Sequence, residues 1–551
     1  MSQPRPPGRL LARDSLARAL PWLWLPLWVA AALIAIFQHG PMPMYSTRTL
    51  SVAWEMWLHH SILVPYLNGL PYSDKPPLLL WLIQSGWSVA GVNDVWPRLL
   101  EVALGAIQLV LAWRLARTLF PQDKRIAHAT AWILLAFTYG FLFGLQVMYE
   151  VLLADCVLAA LLCLAPAAHG KAPHFGGFLL ALSLGLLTKG PVVVLHVGLP
   201  WLLGPLWSEW ARRERRLWYG RGGLSLLAAC VVLLAWALPA ARIGGEAYQH
   251  RLLVHQTAGR VVDAFAHAHP YWWYLPLLPV LAFPFTLWPR LWAALLHWRQ
   301  PLDSGARFLL AWLLPVLLGF SVISGKQAYY LLPEFGGMAM LMAVVLERAH
   351  ASGEANSRWL APWPLAVLLA ATGSALIGLD ALVAHHVLSD PIYLITAPHG
   401  RPFGVLCLLL ALLLVVPRKG ELHRVAGVGL VAAVAANGLF SLTLWPAYDF
   451  MPVSKLVAKA QQEGRPVASL ESNDGQYAFL GRLTQPVEQL HSTHALLKWA
   501  DQHADGLVIV YPKRLSQADR AQAVYIQPFR GISLAVWLAP ALAKALPQED
   551  L

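Results

Sequence analysis

Charge and cysteine are both scarce in this chain of 551 residues. Asp, Glu, Lys and Arg make up 13% of it, against a usual share of roughly 25% in soluble domains, which excludes an ordinary water-facing globule. The four cysteines, Cys156, Cys163, Cys230 and Cys407, lie inside apolar runs with no Cys-x-x-Cys spacing. That pattern excludes a disulfide framework and a thiolate metal site, and leaves small packing residues. Acids are the rarer sign, 29 against 41 Lys and Arg, giving a net charge of +12. The basic excess does not mark a nucleic-acid binder, because most arginines sit in short connections between apolar runs. What the chain has in abundance is apolar length: 58% of residues are hydrophobic and 26 are Trp. Segments of about 17–25 apolar residues recur, each long enough for a bilayer core of roughly 30 Å. This is the pattern of a polytopic membrane protein. The first segment, Pro21 to Phe37, is long, aromatic and followed by further spans, so it reads as a retained helix and not a signal peptide.

Basic residues fall on every second connection and mark the cytoplasmic side. They are Arg5, Arg9, Arg13 and Arg18; Arg114, Arg117, Lys124 and Arg125; Arg212, Arg213, Arg215 and Arg216; Arg299 and Arg307; and Arg418, Lys419 and Arg424. Threading the chain through them gives spans near 21–38, 97–119, 127–146, 151–168, 174–189, 190–207, 223–241, 271–294, 307–324, 328–346, 360–380, 401–417 and 424–444. About thirteen spans put the two termini on opposite sides. The expected organisation is a cytoplasmic tail over 1–20, a membrane domain over 21–446 with a first outer loop at 39–96, and an outer domain over 447–551. Counting the apolar stretch from Pro76 to Val92 as a span would place the 114–125 cluster outside, so it is expected to lie along the outer boundary. In the last hundred residues, Gly506 to Tyr511 and Ala523 to Gln527 read as strands, and Ser454 to Gln462 and His494 to Gln502 as helices, giving a small α/β domain. Asn473-Asp474-Gly475-Gln476 reads as a turn with no catalytic constellation around it.

Ionisable residues at membrane boundaries are costly and mark candidate sites. The densest stretch is Asn68-Gly69-Leu70-Pro71-Tyr72-Ser73-Asp74-Lys75-Pro76-Pro77-Leu78. Others on the same expected face are Glu150 and Asp155, Lys189 in Thr188-Lys189-Gly190-Pro191, Lys326 in Ser324-Gly325-Lys326, and His255, Arg260, His267 and His269. Several cations converging on one pocket would suit a phosphate or diphosphate, although each alone could equally snorkel to the interface. His59-His60 and His267-x-His269 lack a third ligand at useful spacing and read as interfacial histidines. Tyr271-Trp272-Trp273-Tyr274 reads as an aromatic belt, with sugar stacking as the alternative.

Asn68-Gly69-x-Pro71-Tyr72-x-Asp74-Lys75-Pro76-Pro77-Leu78, Gly91-Val92-Asn93-Asp94, Arg98-Leu99, Leu187-Thr188-Lys189-Gly190-Pro191, Tyr271-Trp272-Trp273-Tyr274-Leu275-Pro276, Ser324-Gly325-Lys326 and Tyr330-Leu331-Leu332-Pro333 occur in that order. Together they resemble the undecaprenyl-phosphate aminoarabinose transferase family, within the wider group of polyprenyl-phosphate-dependent transferases that includes protein mannosyltransferases. The resemblance implies an all-α polytopic GT-C-type membrane glycosyltransferase with a C-terminal periplasmic α/β domain, in a bacterial inner membrane. It implies inverting transfer of a sugar from a polyprenyl phosphate to a lipid A-like or other envelope acceptor, with no nucleic-acid partner and a monomeric chain. Carried across, Lys75 falls on a phosphate-contacting lysine, Lys189 and Lys326 on matching lysines, and Glu150 where the family has an Asp. Arg48, Arg260 and Tyr330 join the expected substrate-binding set. Asp74 falls on an acidic position associated with a metal ion, so the cofactor stays open between none and a divalent cation.

One departure bears on catalysis. Members carry an Asp-Glu pair shortly after the first span, then Ala-Arg-Tyr and Glu-Met; here Arg48 and Glu55-Met56 align, but Tyr45-Ser46 replaces the acidic pair. A phenol titrating near 10 is a poor base at neutral pH. Three readings stay open: Glu150 or Asp74 supplies the base, the acceptor is an ionised phosphate and needs none, or the chain is a silent lipid-binding relative that regulates or scaffolds envelope modification. Glu55 could pair with Arg48 instead of acting as a base.

Overall fold

The computed structural model describes residues 22–253, 268–351, 357–388, 391–416, 420–470 and 473–545. Arg260, with His255 and His267, lies outside the described residues, as do the basic residues before Trp22 and Arg418 and Lys419.

The chain is mostly helical, and eight helices among the described residues are long and apolar enough to cross a membrane. A ninth is counted if the bent pair Lys124–Leu134 and Thr138–Gly144, meeting at 63°, forms one span. Among the described residues the thirteen apolar stretches therefore do not become thirteen long helices. Gly190 takes φ +72° and Pro191 follows, ending one helix at the expected boundary between 174–189 and 190–207, and the two helices there, Phe175–Lys189 and Val192–Leu202, have only 15 and 11 residues. Prolines, which lack an N–H, divide 271–294 into Tyr274–Leu281, Phe285–Leu287 and Pro289–Leu296. Leu78–Ala90, with 13 residues and a length of about 20 Å, is too short for a single straight crossing. Its Leu79, Leu80, Ile83 and Trp87 are buried against the rest of the protein.

Before that helix, β1 (Tyr66–Leu67) and β2 (Leu70–Pro71) form an antiparallel hairpin. Its two-residue loop is Asn68-Gly69, both at positive φ, which is the backbone that a right-twisted hairpin requires and that Asn and Gly tolerate. After the last long helix, Glu421–Thr443, the chain builds a mixed sheet from β3 (Val467–Ser469), β4 (Glu488–Gln489), β5 (Leu507–Val510), β6 (Tyr525–Phe529) and β7 (Ile532–Leu538), in the order β4-β3-β5-β7-β6. β3 runs parallel to β4 and β5, while β7 is antiparallel to β5 and β6.

One face of this sheet packs into the same core as the first-loop helices. Leu50, Ala53 and Trp54 of helix Ser46–Leu58 and Trp87 of Leu78–Ala90 share that core with Val467, Ile509, Leu534 and Val536. The Trp87 and Phe479 rings stack at 5.4 Å, and Trp54 Nε1 donates to the Leu483 carbonyl at 2.8 Å. The C-terminal α/β region is thus not a pendant module but is seated on the helix that follows the first apolar segment. The opposite sheet face has its own small core around Leu496, Trp499 and Trp537.

Candidate functional site

Helix Ser46–Leu58 is too polar to cross a membrane yet almost wholly buried, so every polar side chain on it must find a partner. Its two faces do so differently. Tyr45, Arg48, Thr49 and Val52, at helical spacing, line a cleft enclosing about 110 Å³. Ser51 and Trp54 point into the C-terminal region, where Ser51 Oγ donates to the Gly475 carbonyl and receives the Phe479 amide at 3.0 Å.

The cleft's other walls come from distant parts of the chain. The loop after the hairpin brings Tyr72, Asp74 and Lys75. Pro76 restricts the residue before it to extended backbone, which stiffens the approach of Lys75. Hairpin position is set from below: Glu55 accepts the amides of Asn68 at 2.7 Å and Gly69 at 2.8 Å. Burial pushes the Glu55 carboxyl above its ordinary range, although those two amides oppose the shift. Glu55 therefore does not pair with Arg48, which instead meets Asp474 with Nη2 2.8 Å from Oδ2.

Glu150 enters from the first turn of Tyr149–Leu164, whose preceding loop is pinned twice. The Val147 amide donates to Ser46 Oγ at 3.0 Å and the Met148 amide to Glu101 Oε1 at 3.2 Å. Lys189 enters from the last turn of Phe175–Lys189, where a cation complements the helix dipole. Lys189 Nζ lies 2.7 Å from Glu150 Oε1, with the two side chains 10% and 5% exposed. The Tyr330 ring sits under the ammonium at 4.7 Å and that of Tyr329 at 5.9 Å, within cation–π range. An ion pair this dry bears a desolvation cost that its attraction barely offsets, so stability alone is a weak reason for it.

The structure thus brings together Arg48, Asp74, Lys75, Glu150, Lys189 and Tyr330 of the expected set. It does not bring in Lys326, whose buried Nζ donates to the His269 carbonyl at 2.7 Å beside the bridge between Ala268 and Gly325. Asp155, five residues beyond Glu150, is buried with neither carboxylate oxygen hydrogen-bonded among the described residues. Tyr45 lines the cleft, its ring edge-on to Tyr329 and Phe143. Ser46, next to it, turns away: its Oγ donates to Gln146 at 3.2 Å in a separate small pocket that also contains His39, Arg98 and Asn437. The two positions of the missing acidic pair therefore face different compartments.

Among the described residues, the side chains lining the cleft do not by themselves make a metal site: they offer two carboxylates, Asp74 and Glu150, the latter paired with Lys189, among three cations. Among the described residues no three His, Cys, Asp or Glu side chains converge. The His59 ring lies against Tyr66 at a tilt of 36°, and the His269 ring stacks on Trp273. Tyr271 and Trp272 are exposed, as a belt requires, while Tyr274 is buried and donates to the Gln327 carbonyl at 3.1 Å. Sequence reasoning missed Asp474, because a local turn signature carries no information about a partner at the other end of the chain.

A family model described as dolichyl-phosphate-mannose-protein mannosyltransferase matches residues 74–236. The undecaprenyl phosphate-α-4-amino-4-deoxy-L-arabinose arabinosyl transferase of Pseudomonas aeruginosa strain UCBPP-PA14 is 33% identical over 391 residues, covering 69% of this chain and 67% of the relative. Transferase 1 of the same description from Pseudomonas fluorescens strain Pf-5 is 29% identical over 491 residues, covering 85% and 84%. The crystal structure of ArnT from Cupriavidus metallidurans bound to undecaprenyl phosphate superimposes with a TM-score of 0.71 over 93% of this chain and 97% of that one. At 18% identity that likeness establishes the fold.

Proposed function

We propose that this chain, which belongs to the family of undecaprenyl phosphate-α-4-amino-4-deoxy-L-arabinose arabinosyl transferases, transfers a glycosyl unit from a polyprenyl phosphate to a lipid A-like or other envelope acceptor. The observation that carries this reading is the nearly dry Glu150–Lys189 pair on the wall of a cleft that Arg48 and Lys75 also line. Three fixed cations around one volume suit a lipid-borne phosphate, since each would offset charge stranded beside hydrocarbon.

In this reading the donor phosphate takes Lys75, Arg48 and Lys189, and its arrival at Lys189 loosens the hold on Glu150. The acceptor oxygen attacks the anomeric carbon from the face opposite the phosphate, inverting that centre. The bond to the phosphate oxygen breaks, and the electron pair leaves with the polyprenyl phosphate, whose charge the three cations hold. The acceptor proton passes to Glu150, released by the exchange, with Asp74 as the second carboxylate within the cleft. A positioned base contributes roughly 10²–10⁴-fold in that role. The cleft and the C-terminal sheet would face the periplasm of a bacterial inner membrane, with the chain acting as a monomer. Reporter fusions after Tyr448 should then show periplasmic activity.

Tyr45-Ser46 favours a second reading, in which the chain binds polyprenyl phosphate but does not transfer from it. The deciding experiment compares lipid A and other envelope glycans by mass spectrometry with and without the gene. A glycosyl mass increment that depends on the gene, and disappears with Glu150→Gln, supports transfer. Identical profiles together with lysine-dependent binding of undecaprenyl phosphate would leave only the binding role.

A further inference from the structure

We infer that Asp474, in the C-terminal α/β region, is a positioning residue of the donor site: it holds the Arg48 guanidinium in the orientation that receives a lipid phosphate. This rests on the reading of the cleft as a polyprenyl-phosphate site. Arg48 stands on the cleft face of helix Ser46–Leu58, with Nη2 2.8 Å from Asp474 Oδ2. Its Nε is buried and has no hydrogen-bond partner among the described residues. A guanidinium is a rigid planar fork with five donors, so gripping one edge sets its plane and directs the remaining donors.

The grip is itself held. Gly475 donates its amide to Asn473 Oδ1 at 2.9 Å, and the Asn473 carbonyl accepts Asn68 Nδ2 at 2.5 Å and Gln489 Nε2 at 3.1 Å. Gly475 takes φ +78°, a backbone that favours glycine, and a Cβ there would lie 2.3 Å from Leu67 Cδ1, so this turn sits close against the hairpin that leads into Asp74 and Lys75. Asn68 thus links the turn to the hairpin, while Asp474 links it to the helix. The Arg48 and Asp474 side chains are 35% and 36% exposed, and a pair this wet contributes little to stability. Docking of the sheet rests on Trp54, Trp87 and Ser51, whose hydrogen bonds and ring contact go to Leu483, Phe479 and Gly475 and not to the Asp474 carboxylate. The pair's consequence is therefore orientation of a cation, and the ligand class is a phosphate ester that needs more than the point charge of a lysine.

Titration of the full-length protein in nanodiscs with undecaprenyl phosphate tests this. Asp474→Asn should raise Kd about tenfold, the order expected when a charge-assisted contact is lost, without moving the thermal unfolding midpoint. Asp474→Glu should recover most of the affinity. Arg48→Ala should weaken binding, and adding Asp474→Asn to it should weaken binding no further, because the second residue acts through the first. Unchanged or tighter binding in Asp474→Asn, an effect that persists without Arg48, or a fall in thermal stability that accounts for the loss would each overturn the inference. If Lys75→Ala and Lys189→Ala also leave affinity unchanged, the reading of the cleft fails and this inference with it. Lysine-dependent binding indifferent to Asp474 overturns the inference alone.

Discussion

Two polar compartments lie on either side of the Tyr45-Ser46 step, and they are organised on opposite principles. On the Ser46 side, polar groups are matched to one another. Ser46 meets Gln146 and the Val147 amide, Asn437 bridges His39 and Gln38, and Arg98 spans Asp94 and the carbonyls of Ile36 and His39. On the Tyr45 side, Arg48, Lys75 and Lys189 face a shared volume with Asp74 and Glu150, and ion pairs close from the walls. The first arrangement fixes loops; the second holds charge where a ligand can exchange for it. Function is expected on the second side because a matched network has nothing further to offer a ligand without first breaking its own bonds.

The largest test of this contrast is Glu150→Gln, which keeps size and removes the charge. If Glu150 is the base, kcat should fall by roughly 10²–10⁴-fold, while undecaprenyl phosphate affinity stays within a few-fold. Asp74→Asn separates the two carboxylates in the same assay. Turnover retained in both variants, with little pH dependence near neutrality, would mean that the acceptor enters as an ionised phosphate.

The cleft cations come next. Lys75→Ala and Lys189→Ala should each lose a charge-assisted contact of roughly 1.5–3 kcal/mol, or tenfold and more in affinity. Lys326→Ala should leave affinity unchanged and show itself instead in thermal stability, since its ammonium serves the His269 carbonyl. Equal losses of affinity in all three would place Lys326 at the ligand together with the two cleft lysines.

The Tyr45-Ser46 step itself offers a finer test. Tyr45→Asp puts a carboxylate on the cleft face and should raise transfer if a base is limiting. Ser46→Glu puts one into a matched pocket where Ser46 is 2% exposed, and should cost about 1–3 kcal/mol of stability with no gain in transfer. A gain from Ser46→Glu alone would merge the two compartments into one site.

The smallest effect is expected at Glu55, which holds the hairpin under the cleft. Glu55→Gln retains one accepting oxygen of the two and should cost about 1 kcal/mol, seen as faster amide exchange at Asn68 and Gly69. Burial raises this carboxyl's pKa on folding, so the folded state holds the proton more firmly than the unfolded one. Its contribution is therefore fully present below the unfolded pKa and declines as pH rises toward the folded value. Protection of the two amides, corrected for intrinsic exchange, should fall upward from about pH 4.3. Protection that rises with pH would show that the two amide bonds outweigh burial.

Much of the site was legible because the informative signals are local. Gly190-Pro191 ends a helix wherever it stands, so Lys189 had to be at a helix end, and Asn68-Gly69 required a hairpin ahead of Asp74 and Lys75. The lysines look alike in such a reading. What separates Lys189 from Lys326 is the Glu150 carboxylate across the cleft for one and a backbone carbonyl for the other, and neither partner is a neighbour in sequence. Span lengths were less legible, because hydropathy counts apolar residues and does not register a helix broken by proline or bent at a short connection.

By itself the amino-acid sequence determined the membrane class, the positions of the apolar helices, the α/β character of the last hundred residues and the boundary residues that could hold a phosphate. Composition and short-range backbone preference suffice for these, since each depends on residues within a few turns of one another. Only the tertiary structure decided that Arg48 answers to Asp474, that Glu150 is held by Lys189, that Lys326 turns to a carbonyl and that Tyr45 and Ser46 part into different compartments. Those choices depend on which buried charge finds which partner, and a buried charge takes its partner from whatever the packed helices bring near, at any distance along the chain.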